Sequence, residues 1–401
     1  MSLQSRPIKV GVVGLSTNPS SWAHSFLSPA LRHAQLAQKY SLVAVSTTSD
    51  ASAKASAKEQ SDSLGRLVKA YSGSTSHIAQ DPDVDLVLVA VKAPYHKSAA
   101  LPAINAGKDC FVEWPVGRNL SETIELAEAA RRHRVRTIVG LQGRQSIVLL
   151  KAKELISDGK IGRVLSCSVV ALAPREMGLW GPQVRETNAY TTDDSCGGSM
   201  LDIAVGHHLD ALTFVLGSDF MSVSAVTSTV YTSTSLVDAD GLPTGKTVTT
   251  TNPDHVAFVG LLANGTIASV SFRGGYTSQG RKQLLWEIDG ESGSIRVESD
   301  NVWGSFVQIV DPSLFLNGVE VQAKTEGSAA HNTTNPKLGL SERKALPGND
   351  EALTRNLVGQ FTEFWKGGEG TYADLDEAVK TRRLLEAISE SAREGKRVDI
   401  Q

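Results

Sequence analysis

Residues 110–115, Cys-Phe-Val-Glu113-Trp114-Pro115, end an apolar run on a carboxylate, a large aromatic and a proline. Such a run reads as a β-strand whose end presents side chains to a pocket. A second chemical segment is Gly197-Gly198-Ser-Met-Leu-Asp202-Ile-Ala-Val-Gly206-His207-His208-Leu-Asp210, which has helical character. His207 and Asp210 stand three residues apart and share one helical face, whereas two adjacent histidines cannot both enter one pocket. At most one of the two therefore enters the pocket, and for His208 a surface or interface position is an equal expectation. Hydride transfer to or from a carbon bearing oxygen needs a group that moves a proton on that oxygen and a substrate fixed against the carrier. Trp114 cannot move a proton usefully, because an indole N–H only donates. Lys92, at the end of another predicted strand, is a candidate for that role, since partial desolvation lowers a lysine pKa toward neutrality. A solvated lysine at a loop edge fits the same residue. Tyr190 and the segment 180–190 either touch substrate or form a surface loop. Trp114 is a candidate apolar wall for a sugar ring or an aromatic substrate.

The elements that must hold these groups are legible from hydrophobic period. Residues 8–14, Ile-Lys-Val-Gly11-Val-Val-Gly14, read as a buried parallel strand entering a tight turn. Further strands are expected at 41–46, 86–91, 109–113 and 136–141, with helices at 22–39, 52–68, 97–106 and 121–133. Alternation of this kind predicts an α/β, Rossmann-like, doubly wound parallel sheet over residues 1–145. Residues 146–401 read as an α+β domain with an open, mostly antiparallel sheet, for substrate and dimerisation. Its signals are a helix at 149–158, a strand at 164–171 and a helix near 200–216. Asn264-Gly265 marks a hairpin. Strands at 284–288 and 295–298 flank a turn at 290–293. Residues 320–350 form a polar loop, and amphipathic helices span 351–366 and 373–394. The open sheet face carries many Val, Ile and Thr side chains and predicts a homodimer.

Composition narrows the function classes. Of 401 residues, 41% are hydrophobic and 21% charged, as in a globular two-domain protein. The net charge of −3, without a Lys/Arg run, argues against direct binding to nucleic acid. No apolar stretch approaches the ~20 residues that span a bilayer, and residues 1–7 do not read as a signal peptide. Three well-separated cysteines point to a reducing, cytoplasmic setting, with the nucleus open to a regulator. No Cys-x-x-Cys pair occurs, so no metal site is expected.

A strand, a glycine turn and a helix N-terminus together bind a pyrophosphate. Gly11, Gly14, Leu15 and Ser16 supply the turn, with Ser16 where the second fingerprint glycine usually stands. A longer segment up to Trp22 follows. The second strand ends Val45-Ser46-Thr47-Thr48, with no acid before Asp50 to accept the ribose hydroxyls of NAD. Small hydroxyl side chains leave room for a 2′-phosphate, with Lys54 nearby to hold it. NADP is thus slightly favoured over NAD, although these residues also suit a plain strand end.

In the order and spacing of these motifs, the chain resembles the glucose–fructose oxidoreductase/inositol dehydrogenase (Gfo/Idh/MocA) family from end to end. The resemblance implies that Val91, Lys92, Pro94 and His96, in Ala90-Val-Lys-Ala-Pro-Tyr-His96, line the cofactor. It matches Glu113 and Pro115 to the family's Glu and Pro, with Trp114 in place of its proton-transferring lysine. Gln142 and Arg144 match its polar pair after the sixth strand, and His207 matches its histidine. Asp202 stands five residues before His207, where four is the family's common spacing. The family implies a sugar-like or cyclic alcohol or ketone as small-molecule substrate, and pairing through the second-domain sheet. The Glu-Trp-Pro version is shared with a branch containing galactose-pathway co-repressors, as are residues 141–144, 152–157 and 253–255. That branch implies a second reading, a dinucleotide-binding co-regulator without turnover. Against it, the chain lacks the branch's long extra segments and carries Lys92 where an uncharged glutamine is expected. The expectation is an NAD(P)-dependent oxidoreductase.

Overall fold

Six short apolar runs make a parallel sheet in the order β3-β2-β1-β4-β5-β6 in a computed structural model that describes residues 6–323, 350–368 and 370–400. The strands are β1 (Ile8–Val13), β2 (Tyr40–Thr47), β3 (Lys69–Ser72), β4 (Leu86–Val89), β5 (Asp109–Glu113) and β6 (Thr137–Gly140). Every residue of β4 is buried, so its run is continuously apolar rather than alternating. Helices α1 (Ser28–Arg32), α2 (Asp50–Leu64), α3 (Ser76–Ala79), α4 (His96–Asn105) and α5 (Leu120–His133) connect them. Ser49 caps α2 by accepting from the Ser52 amide, and Asn119 caps α5 by accepting from the Glu122 amide. The helix expected at 22–39 stops at Arg32, where His33 turns extended with ψ 142°. β3 has no apolar run to announce it, because its four residues are all at least partly exposed.

The chain divides into two compact units, residues 1–145 with Leu353–Lys380, and Ser146–Ala352 with Thr381–Gln401. A linear division at residue 145 misses this return of the C-terminal helices. In the first unit the Tyr40 hydroxyl donates to the Phe361 carbonyl at 2.7 Å, and Gln360 Nε2 donates to the Val139 carbonyl at 2.5 Å. Both acceptor and donor in these pairs belong to α8 (Asp350–Lys366) or to the strands it covers.

The second unit is built on a nine-stranded mixed sheet in the order β17-β16-β15-β14-β7-β13-β12-β9-β18. Its strands are β7 (Val164–Ala173), β9 (Phe220–Ser228), β12 (His255–Leu262), β13 (Ile267–Gly274), β14 (Leu284–Gly290), β15 (Ser294–Ser299), β16 (Ser313–Leu316), β17 (Val319–Val321) and β18 (Val398–Asp399). Only β7 and β13 run parallel among these pairs. The hairpin at Asn264-Gly265 joins β12 to β13, with Gly265 at φ +86°. A small sheet, β11-β10-β8, combines β8 (Gln183–Arg185), β10 (Ser233–Val237) and β11 (Pro243–Thr249). The segment 180–190 is therefore structured rather than a plain loop. Helices α6 (Ile147–Ser157), α7 (Gly206–Leu216) and part of α9 (Leu375–Glu394) complete the unit. Of the loop expected at 320–350, residues 324–349 lie outside the described residues.

His208 is not at a surface. It is fully buried on α7, edge-on to Phe272 at 5.4 Å and to Trp286 at 5.0 Å, and neither ring nitrogen has a hydrogen-bond partner. Burial pushes its pKa down to about 3 from the ordinary 6.5. The unfolded chain then binds the proton more readily, so this histidine's contribution is full above pH 6.5 and is lost as pH falls toward 3. We expect His208→Leu to be neutral or stabilising at pH 7 and to flatten the acid loss of stability. Urea midpoints measured between pH 7 and 4 check this; an unchanged pH slope would contradict it.

Candidate functional site

Gly14 follows β1 at φ +95°, and a β-carbon there would stand 2.3 Å from the Ala90 carbonyl oxygen. A side chain at this position is excluded both by the backbone region and by the neighbouring strand end. The Gly14 amide donates to the Ser46 carbonyl at 2.9 Å, and the Ala90 amide to the Val13 carbonyl at 3.0 Å. The turn is thus tied to both flanking strands. Gly11 is needed earlier, since its β-carbon would meet Ile78 Cδ1 at 2.8 Å. Leu15 is fully buried and its carbonyl accepts from Ser56 Oγ at 2.7 Å, so it offers core packing, not a side-chain contact to a ligand. Ser16 is partly exposed and its Oγ accepts from the Asn18 amide at 3.3 Å.

The extension after Ser16 is closed by Trp22. Its indole donates to Glu113 Oε1 at 2.6 Å and its ring lies 4.7 Å from Phe26. Gln142 Nε2 approaches Glu113 Oε2 at 3.4 Å, while Gln142 Oε1 is buried with no partner. Gly140 makes room, because a β-carbon there would fall 2.2 Å from Glu113 Oε2. Burial raises the Glu113 pKa to about 8, against the lowering effect of the Trp22 and Gln142 hydrogen bonds. Its carboxyl is therefore largely protonated at neutral pH. Because this acid holds its proton more tightly when folded, its contribution is full below pH 4.5 and is lost as pH rises through about 8.

Two residues assigned to the cofactor have other work. His96 is 2% exposed, with Nδ1 2.6 Å from the Pro115 carbonyl and Nε2 2.8 Å from the Val91 carbonyl. It ties the loop after β4 to the turn after β5 instead of facing outward; burial lowers its pKa while the two carbonyls raise it. Arg144 is 5% exposed and its guanidinium pairs with Glu377 at 2.8 Å on α9. Trp114 is buried and joined to Pro115 by a cis peptide bond. Lys92 is exposed and Val91 and Pro94 are partly so, which corrects the partial desolvation expected of Lys92. Ser46 and Thr47 are buried, and Thr47 Oγ1 donates to the Ser49 carbonyl at 3.2 Å. Lys54 pairs with Asp50 at 2.8 Å on the exposed side of α2.

In the second unit, Gly197 and Gly198 lead into α7. A β-carbon on Gly198 would strike Tyr190 Cε2 at 2.7 Å, and the Trp180 indole donates to the Gly198 carbonyl at 3.2 Å. Tyr190 is thereby packed on the turn, and burial raises its phenol pKa. Residues Leu201–Val205 form a π-helical turn, with the Val205 amide donating to the Met200 carbonyl at 3.0 Å. An i→i+5 turn absorbs one extra residue in a helix, which accounts for the five-residue spacing of Asp202 and His207. Asp202 is not an open carboxylate. Its Oδ2 accepts from the Ser199 amide at 3.0 Å and Oγ at 2.6 Å, and Oδ1 pairs with the buried Arg382. Asp202 thus anchors the turn, which corrects its expected role in orienting substrate. His207 keeps part of its surface, and burial lowers its imidazole pKa to about 3. It is neutral at pH 7. Sequence reading did not find Arg382, nor that Trp22 and Gln142 bond Glu113; each is set by contacts between residues far apart in the chain.

Among the described residues no cluster of three or more His, Cys, Asp or Glu could hold a metal, and no helix is long and apolar enough to cross a membrane. The Gly14 turn, which a β-carbon would block, and the orphaned Gln142 Oε1 fit a diphosphate-bearing ligand with an amide or similar N–H donor.

Residues 8–141 match the oxidoreductase family with the NAD-binding Rossmann fold, and residues 148–299 match the C-terminal domain of Gal80p. The dehydrogenase aclE of Aspergillus oryzae is 31% identical over 393 residues, covering 98% of each chain. The galactose/lactose metabolism regulatory protein GAL80 of Kluyveromyces lactis is 30% identical over 79% of this chain and 68% of its own. The crystal structure of a super-repressor mutant of Gal80p from Saccharomyces cerevisiae shares the fold at TM-score 0.81, with 23% identity over 98% of both chains.

Proposed function

Because the chain belongs to the Gfo/Idh/MocA oxidoreductase family with the NAD-binding Rossmann fold, we propose that it is an NAD(P)-dependent dehydrogenase or reductase acting on a sugar-like or cyclic alcohol or ketone. The observation that carries this reading is the Gly14 turn, whose φ of +95° and closeness to Ala90 suit a backbone approached by a diphosphate. Gly11, Gly14 and the main chain of Leu15 and Ser16 would hold the diphosphate, with Trp22 closing the extension through Glu113. Val91, Lys92, Pro94, Trp114 and Gln142 would meet the rest of the dinucleotide. When bound, that group supplies the hydride chemistry.

The chain's own groups then manage orientation and the proton. Trp114 stands where the family has its lysine and offers an apolar surface. His207 Nε2 or Nδ1, neutral at pH 7, or the exposed Lys92 Nζ exchanges the proton of the substrate oxygen. Tyr190, protonated at neutral pH, donates a hydrogen bond to the substrate. The absence of an acid before Asp50 supports NADP over NAD, with Ser46 and Thr47 leaving space for the 2′-phosphate. A working setting is the cytoplasm.

A co-regulator without turnover is the second reading, favoured by the Gal80p-like match over residues 148–299. The near-complete coverage of and by the dehydrogenase of Aspergillus oryzae supports the enzyme. Homodimerisation is proposed through the outward face of the nine-stranded sheet. There Val226, Ala257, Ser271, Val170 and Leu285 lie in one cross-strand row, and Leu261 neighbours Ile267.

Titration with NADPH and NADH, followed by an absorbance screen against polyols, sugars and ketones, tests the reading. We expect tighter NADPH binding and turnover with at least one substrate, in a preparation that light scattering shows as two copies. Binding without turnover across the panel would leave the co-regulator; no binding of either coenzyme would remove both.

A further inference from the structure

Three arginines of the second unit gather round Tyr276, in the loop that follows β13. Arg281 Cζ stands 5.1 Å and Arg273 Cζ 5.8 Å from the centre of the tyrosine ring. The Arg175 amide donates to the Tyr276 carbonyl at 2.7 Å, and Arg175 Nε to the Gly275 carbonyl at 3.2 Å. Among the described residues no carboxylate forms an ion pair with any of the three. Arg175 and Arg281 are exposed, and Tyr276 and Arg273 are partly so. Of the Arg273 guanidinium only Nε is buried without a partner, and its two terminal nitrogens keep surface. The cluster is therefore open to a ligand arriving from solvent.

The scaffold beneath it is fixed. Gln283, fully buried, donates from Nε2 to the Ser278 and Arg281 carbonyls, both at 3.0 Å. His255 is the cross-strand partner of Arg273, with Nε2 3.3 Å from the Tyr276 hydroxyl and Nδ1 2.6 Å from Asp254 Oδ1. Asp254 also accepts from the Val230 and Tyr231 amides at 2.9 and 2.7 Å, so it is committed to the scaffold. Glu176 accepts from Thr277 Oγ1 at 3.1 Å and from the Ser278 amide at 3.2 Å, on the same loop as Tyr276. Set against that one carboxylate, three guanidinium charges leave an excess of two. Like charges held this close raise one another's energy, and a bound anion relieves it.

We propose that Arg175, Arg273 and Arg281 bind a phosphate dianion, free or carried on a small phosphorylated ligand. Guanidinium groups hold phosphate oxygens through their paired N–H donors. A tetrahedral dianion offers oxygens to cations on several sides and matches the excess charge. A planar carboxylate serves one guanidinium edge and carries half that charge. The site stands one same-face pair beyond Ala257 and Ser271, with Arg175 and Arg281 outside the strands. It goes beyond the proposed function and rests on the second unit alone, so it holds whether or not a coenzyme binds.

The test uses the full chain labelled with ¹⁵N-arginine, with the Arg281 Nε–H resonance identified by its loss in Arg281→Lys. Sodium phosphate is titrated at neutral pH, with sodium acetate and sodium chloride at equal ionic strength as controls. A saturable shift with phosphate, and none with acetate or chloride, is expected. The phosphate affinity read from that resonance should fall roughly tenfold or more when Arg175→Gln and Arg273→Gln are combined. Glucose 6-phosphate separates the two sources: binding tighter than phosphate marks a phosphorylated ligand, and binding no tighter marks the free ion. A resonance that does not saturate with phosphate, or that follows acetate equally, overturns the assignment, as does undiminished affinity in the double variant. The first titration is read on the unmodified protein, so the outcome does not depend on how well the variants fold.

Discussion

A Gly14→Val protein is expected to lose coenzyme binding altogether and to be markedly less stable. The native φ of +95° is a region that a β-branched residue adopts at a cost of roughly 1–3 kcal/mol. The greater obstacle is steric: the first added carbon would stand 2.3 Å from the Ala90 carbonyl oxygen, which is main chain and cannot rotate away. Relief requires the end of β1 and the residue after β4 to separate, and those segments are tied by the Ala90–Val13 hydrogen bond of 3.0 Å. Gly14→Ala isolates the same clash with the smallest side chain. Urea unfolding measures the stability loss, and quenching of tryptophan fluorescence by NADPH measures binding. Retained affinity in Gly14→Val at wild-type stability would show that the turn is not where a diphosphate sits.

The second large effect concerns Arg382. Its side chain is 2% exposed and pairs with Asp202, whose other oxygen caps the π turn at Ser199. Removing one partner of a buried pair strands the other charge, and such changes cost about 3–5 kcal/mol. Arg382→Met should therefore lower the urea midpoint sharply, whereas Asp202→Asn with Arg382→Met should recover part of the loss because no carboxylate is left uncompensated. An additive double variant would show the two groups to be energetically independent. If the turn positions His207, the single variant should also move the imidazole resonance of His207.

Five of the six strands of the parallel sheet were legible because each carries its own apolar run. Leu86–Val89 is an unbroken apolar run, Gly265 in the Asn264-Gly265 hairpin takes positive φ, and Gly11 and Gly14 punctuate β1. These are local signals, set by backbone sterics and by burial within a few residues. β3 escaped because its exposed residues carry no such period. The helix after Trp22 was overextended because apolar spacing continued beyond Arg32 while the backbone did not.

Side-chain identity at the site was equally local. Glu113, Trp114, His207 and the missing acid after Ser46 could all be placed by their spacing from strands and glycines. Their states could not. Whether a group is a free acid, a clamp or core is decided by what packs against it from distant parts of the chain. Trp22 lies 91 residues from the Glu113 it bonds, and Arg382 lies 180 residues from Asp202. Burial by such partners keeps Glu113 protonated at neutral pH and His208 uncharged. His96 sets both ring nitrogens at hydrogen-bond distance from carbonyls. Sequence alone thus determined which chemical groups stand at the ends of which strands, because chain geometry alternates and turns by local rules. Tertiary structure decided their charge and availability, because desolvation and hydrogen bonding depend on all the neighbours that folding assembles.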